Sequence, residues 1–121
     1  MSPSQLLEYL VQLFPTFRDQ WDDEENNMNR NGDDFTAHGV CAEFTFFYIQ
    51  HGLTAEASVL ARLFQKIEEL VVSDPKDQDP VANAVCTCFL ENIAQLPSGE
   101  GSIPFMGPES GKFFAHWHVE R

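Results

Sequence analysis

The stretch Asn83-Ala84-Val85-Cys86-Thr87-Cys88-Phe89-Leu90-Glu91-Asn92-Ile93 limits what this chain can fold into more than any other segment. Its apolar residues recur at helical spacing: Val81, Val85, Cys88, Phe89 and Ile93 form one stripe, and Cys86 and Leu90 widen it. A single facing helix covers only a narrow seam, so a stripe this wide needs neighbours on two sides. The spacing therefore predicts a core helix around which the other segments pack.

Those segments also read as helices. Pro3 after Ser2 suits a first helical turn, Leu6, Leu7, Leu10, Val11 and Phe14 share one face, and Pro15 ends the run. A second pattern opens near Asp33 or Asp34, either of which can cap free N–H groups, and passes through Val40, Cys41, Phe44, Phe47 and Tyr48 to a stop at Gly52. A third opens at Thr54 and carries its stripe on Ala57, Leu60, Ala61, Phe64, Ile67 and Val71, before Asp74, Pro75, Asp79 and Pro80 break it. Residues 97–107 read as a flexible, turn-rich connection in which Ile103, Phe105 and Met106 pack down without regular structure. Pro108 opens a short last helix through Phe113, Phe114 and Trp117.

No strand pattern interrupts this series, so the predicted fold is all-α: a single domain over residues 1–121, built as a compact bundle of four to five helices. Eleven phenylalanines and 43% hydrophobic residues exclude a disordered chain. An internal echo bears on the arrangement. Ala37, Val40, Cys41 and Phe44 match Ala82, Val85, Cys86 and Phe89 at an offset of 45 residues, within the period of helical-pair repeats. Two stacked helical hairpins would produce this echo, and so would similar packing demands on two core helices.

Charge gives the main functional lead. Nineteen acidic against seven basic residues leave a net charge of −12, which repels nucleic acid and anionic lipid and favours a basic protein partner. The acidic loop region, residues 16–34, holds Asp19, Asp22, Asp23, Glu24, Glu25, Asp33 and Asp34 against Arg18 and Arg30, seven negatives minus two positives or −5. Asp19, Asp22, Asp23, Glu24, Glu25, Asp33 and Asp34, with Trp21 among them, form the predicted partner-binding set. The carboxylates would steer a basic partner and the indole would anchor it. The alternative is a solvated acidic loop with Trp21 tucked into the core.

Catalytic and metal motifs are weak by comparison. His38 and Cys41 lie one helical turn apart, and Cys86, Cys88, His116 and His118 could complete a nitrogen and sulfur set, but the spacing between Cys86 and Cys88 points them to different sides of a regular helix. Asn27 to Gly32 resembles the first half of a calcium loop, yet its twelfth position is His38 rather than glutamate. No catalytic residue, metal or cofactor is therefore predicted. A small metal-dependent or thiol enzyme around His38, Cys41 and Glu43 is the alternative, and a helical scaffold or oligomer using Phe113, Phe114 and Trp117 is a third reading. The opening Met-Ser-Pro-Ser-Gln lacks the basic start of a secretory signal, no apolar run approaches the ~20 residues of a membrane span, and three cysteines in apolar runs suit a reducing compartment. A cytoplasmic protein is expected.

The runs His38-Gly39-Val40-Cys41-Ala42-Glu43-Phe44 and Asn83 to Asn92, with Trp117 near the end, resemble a family of small bacterial all-helical domains to which no activity is attached. The resemblance covers roughly residues 35–118 and implies a helical fold. Such small acidic proteins are similar in character to immunity proteins, which neutralise a co-produced toxin, often a nuclease with a basic active-site surface. The resemblance thus implies a non-enzymatic inhibitor and assigns no functional residue.

Overall fold

A computed structural model describes residues 1–23, 26, 35–73 and 79–118, and all regular structure among them is helical. α1 (Pro3–Leu13) starts with a capping box: Gln5 N–H donates to Ser2 Oγ, and Gln5 Oε1 accepts from Ser2 N–H. α2 (Phe17–Trp21) is a single amphipathic turn whose Phe17 and Trp21 point inward. α3 (Ala37–His51) is capped by Thr36, whose Oγ1 accepts from Gly39 N–H. The cap thus lies beyond the predicted Asp33 or Asp34, both outside the described residues.

Gly52 does end α3, but not through a left-handed turn, because its φ is −58°. Its lack of a side chain matters instead: a Cβ there would come within 2.5 Å of the Tyr48 ring. A 3₁₀ turn (Gly52–Thr54) then leads to α4 (Ala57–Val72), which buries Leu60, Leu63, Phe64, Ile67 and Leu70. The buried stripe is rotated from the predicted one, with Ala57 and Ala61 exposed and Leu63 and Leu70 inward. The large side chains take the core and leave the small ones to solvent.

The predicted central helix is present, but it is not a regular α-helix. α5 (Pro80–Ala84) runs without a break into a π-helical turn (Val85–Leu90) and then α6 (Glu91–Ile93). A π turn inserts extra backbone into the helix and re-aims its side chains, so regular 3.6-residue spacing does not describe this stretch. It remains the packing hub. Phe89 sits against Tyr48, Phe44 and Phe64, with ring centroids 5.1, 5.4 and 6.2 Å away. Phe44 extends the cluster to Phe17 and Phe14, at 5.2 and 5.4 Å.

The connection after Leu96 is ordered, contrary to the expectation of a flexible turn-rich stretch. α7 (Pro97–Glu100) begins with proline in its first turn, and a 3₁₀ turn (Ile103–Phe105) follows. Ser98, Gly99 and Ser102 are buried, since Ser102 Oγ donates to Ser98 O at 2.5 Å and pairs with Tyr48 Oη at 2.6 Å. α8 (Pro108–Trp117) inserts Phe114 into the core. Counting Pro80–Ile93 as one helix, the described residues hold five long helices and the two short ones α2 and α7, more than the four to five expected. The two echoing segments lie side by side, α3 against the π turn.

Candidate functional site

α2 is held onto α3 by its aromatic residues, and this fixes which side of the acidic region faces outward. Phe17 is fully buried and Trp21 is 2% exposed, its ring 5.0 Å from Phe35 and 6.3 Å from Phe17. Asn26 Nδ2 donates to Trp21 O at 2.7 Å and closes the turn. This corrects the expectation for Trp21: an indole packed between two phenyl rings holds α2 in place and offers no face to a partner. Asp19, Asp22 and Asp23 are exposed on the other side of the turn. Glu24, Glu25, Asp33 and Asp34, like the Asn27 to Gly32 segment, lie outside the described residues.

Beside α2 runs an open groove of about 1250 Å³ along the outer face of α3. Asp19, Asp23 and Glu43 supply carboxylates to its lining, and Phe46 and Ile49 supply apolar surface. Gln20, also in its lining, ties the two helices together, its Nε2 donating to Glu43 Oε1 at 2.9 Å and to Glu43 O at 3.2 Å. Phe46 is 66% exposed, which costs hydration free energy in the isolated chain and marks a surface able to release it on contact.

Sequence reasoning missed Phe46 and Ile49. The signal was present, because the sequence of α3 is apolar on nearly every side, and among the described residues its Phe46 and Ile49 stay exposed.

The thiol and metal candidates are rearranged. Cys41 is 2% exposed, and burial pushes its thiol far up, with Cys88 and Cys86 adding to the shift. His38 turns away from it: its Nδ1 lies 3.0 Å from Cys88 Sγ on the π turn and its Nε2 lies 3.4 Å from Asn83 Nδ2. His38 is thus engaged with Cys88 and Asn83, and Glu43 with Gln20, while a buried thiol of raised pKa such as Cys41 makes a poor nucleophile.

His116 and His118 sit on the last helix and its cap, where His118 Nδ1 accepts from Gln95 N–H and its ring stacks on Phe114. Among the described residues, no three or more His, Cys, Asp and Glu side chains gather as metal ligands. The proposed oligomer surface also divides, since Phe114 is core, Phe113 half-buried and Trp117 exposed. No described helix is long and apolar enough to cross a membrane.

Comparison with curated proteins and with solved structures gave no match. Residues 7–119 match the model of a domain of unknown function, DUF7674. Because that match spans nearly the whole chain, the protein belongs to the DUF7674 family.

Proposed function

We propose that this protein is a non-enzymatic binding module whose acidic groove receives a basic, amphipathic segment of a partner protein. The observation that carries the reading is one groove lined by Asp19, Asp23 and Glu43 together with Phe46 and Ile49. Carboxylates at a rim attract cations over a Debye length, and an exposed phenyl ring beside them supplies the short-range contact. Phe46, not Trp21, takes the role of anchor. A net charge of −12 steers the same class of partner from a distance and repels phosphate polymers.

The finer reading is an immunity-type inhibitor in the cytoplasm. Its carboxylates stand in for phosphate on the basic face of a toxin such as a nuclease, and block substrate entry. Asp22, exposed at the C-cap of α2, adds to the acidic field that such a face would meet.

A helical peptide with leucines at i, i+3, i+4 and i+7 and lysines on the opposite face is a suitable probe. Its affinity, followed by fluorescence anisotropy, should fall steeply with salt and fall again in Asp19→Asn/Asp23→Asn/Glu43→Gln. Unchanged affinity and salt dependence in that variant would overturn the groove. For the inhibitor reading, co-expression with the product of an adjacent reading frame should relieve that product's toxicity, and the triple variant should not.

A further inference from the structure

The groove makes no use of one polar side-chain contact between the two echoing helices, that of His38 with Cys88. Cys88 lies in the π turn, where its backbone oxygen accepts from Thr45 Oγ1 at 2.6 Å and from Asn92 Nδ2 at 3.0 Å. These two bonds, one from α3 and one from α6, satisfy a carbonyl in the widened turn and fix the sulfur's position against α3. Insertions of this kind in helices often mark functional sites. His38 Nδ1 is 3.0 Å from the sulfur, and Asn83 holds the far nitrogen of the ring at 3.4 Å.

As placed, Asn83 Nδ2 faces His38 Nε2; with the exposed amide turned by 180°, so that Oδ1 accepts from that nitrogen, the imidazole proton would sit on Nε2 and the Nδ1 lone pair would face the thiol. Thr87 Oγ1 donates to Asn83 O at 2.9 Å and stands 3.7 Å from Cys88 Sγ, so its lone pairs are turned toward the thiol. Nucleophile, base and orienting amide are thus in contact in that order.

We propose that Cys88 is a reactive thiol for small hydroperoxides, with His38 as its base and Asn83 as a positioning residue. The sulfur attacks the terminal peroxide oxygen: the S–O bond forms and the O–O bond breaks. Sulfur gives up two electrons and becomes a sulfenic acid, while the peroxide is reduced to alcohol or water. The thiol proton passes to His38 Nδ1 and from there to the leaving oxygen, so that thiol plus hydroperoxide gives sulfenic acid plus alcohol.

The site favours this electrophile on three grounds. Cys88 is only half-buried, a chain of charge −12 disfavours anionic electrophiles, and Thr87 Oγ1, whose proton is on Asn83 O, can accept a hydrogen bond from the peroxide O–H. Cys86, half-buried on the same π turn, is an internal control.

The test uses the full chain with dilute hydrogen peroxide, a cyclic 1,3-diketone to trap sulfenic acid, and peptide mass mapping. Cys88 should be labelled about tenfold or more faster than Cys86, and His38→Gln should remove that preference. Asn83→Ala should reduce the Cys88 rate and Asn83→Asp should restore it, with the thermal melt unchanged. Equal labelling of the two cysteines in the wild-type chain would overturn the proposal, as would a Cys88 rate indifferent to His38→Gln. If His38→Gln does not fold, the wild-type ratio and the Asn83 pair decide, because Asn83 is exposed and tolerates replacement.

Discussion

Phe44 and Phe46 stand two residues apart on α3 and have opposite surroundings. Phe44 is 2% exposed and touches five other aromatic rings, those of Phe14, Phe17, Phe47, Tyr48 and Phe89, whereas Phe46 is 66% exposed and lines the acidic groove. Apolar composition explains why α3 is kept from unfolding but does not determine which of its faces is core. That is decided by what stands opposite: α1, α2 and the π turn cover the Phe44 face, and the described residues leave the Phe46 face to solvent beside three carboxylates. The inner face should therefore govern stability and the outer face binding.

The strongest way to break that division is a charge at the centre of the inner face. Phe89→Asp places a carboxylate among Phe44, Tyr48 and Phe64, where it has neither water nor a cation to face. The loss should be about 4 kcal/mol or more, comparable with the whole stability of a small domain. Circular dichroism should show no cooperative melt. A melt near that of the wild type would mean that the hub lies elsewhere.

Tyr48→Phe tests a polar part of the same face. Tyr48 Oη and Ser102 Oγ form a buried bond of 2.6 Å, and burial raises the phenol's pKa while the Ser102 bond opposes that rise. Removing the hydroxyl leaves Ser102 with one partner fewer and should cost about 1–2 kcal/mol in urea denaturation, with the fold retained.

How far the sequence anticipated this structure follows from the kind of signal each residue gives. Leu6, Leu7 and Leu10 on α1, Phe14 at its C-cap, and Val40, Cys41, Phe44, Phe47 and Tyr48 on α3 are in the core as their spacing predicts, with Val11 half-buried at the edge of the same face, because periodicity is a local property of the chain. The π turn was not legible, since Val85 to Leu90 has ordinary helical composition and the insertion is fixed by contacts such as Thr45 with Cys88 O, 43 residues apart.

The same long range hid the pairing of His38 with Cys88. At 50 residues' separation it depends on the two echoing helices lying side by side, whereas the nearer Cys41 was the natural partner on paper. Residues 97–102 looked flexible because Pro, Ser and Gly dominate there. A Ser102 hydroxyl that bonds inward, and a Gly99 packed where a Cβ would strike Ile93 O, make the segment part of the core.

A smaller effect, away from both faces of α3, sharpens the comparison by showing what an ordinary surface contact is worth. Glu68 on α4 caps α8, its Oε1 accepting from Ser110 N–H at 2.8 Å and its Oε2 from Glu109 N–H at 3.0 Å. Burial raises its pKa, but the bonds from Ser110 and Glu109, with Lys112 nearby, outweigh it and leave the carboxyl below its ordinary value. A carboxyl lowered by folding adds stability above its unfolded value, and that contribution is lost as pH falls through the folded one. Glu68→Gln should cost about 1 kcal/mol at neutral pH. Chemical denaturation at a series of pH values should show the gap to wild type closing below about pH 4. A gap that stays constant down into acid would mean that the cap does not depend on the charge.

The smallest change in stability is expected where the change in binding is largest. Phe46→Ala removes a ring with little burial to lose, so the melt should stay within about 0.5 kcal/mol of wild type. The equivalent truncation on the inner face, Phe44→Ala, should cost about 3–5 kcal/mol. If Phe46 anchors a basic amphipathic segment, its removal should weaken the lysine and leucine peptide about fivefold or more, with the salt dependence preserved because Asp19, Asp23 and Glu43 are untouched. The carboxylate variant should do the reverse, flattening the salt dependence while Phe46 still contributes contact. Anisotropy titrations of both variants across a salt series separate the two contributions. If Phe46→Ala destabilised the fold as Phe44→Ala should, the outer face would be structural. α3 would then have one role on both sides, and the groove would no longer have an anchor.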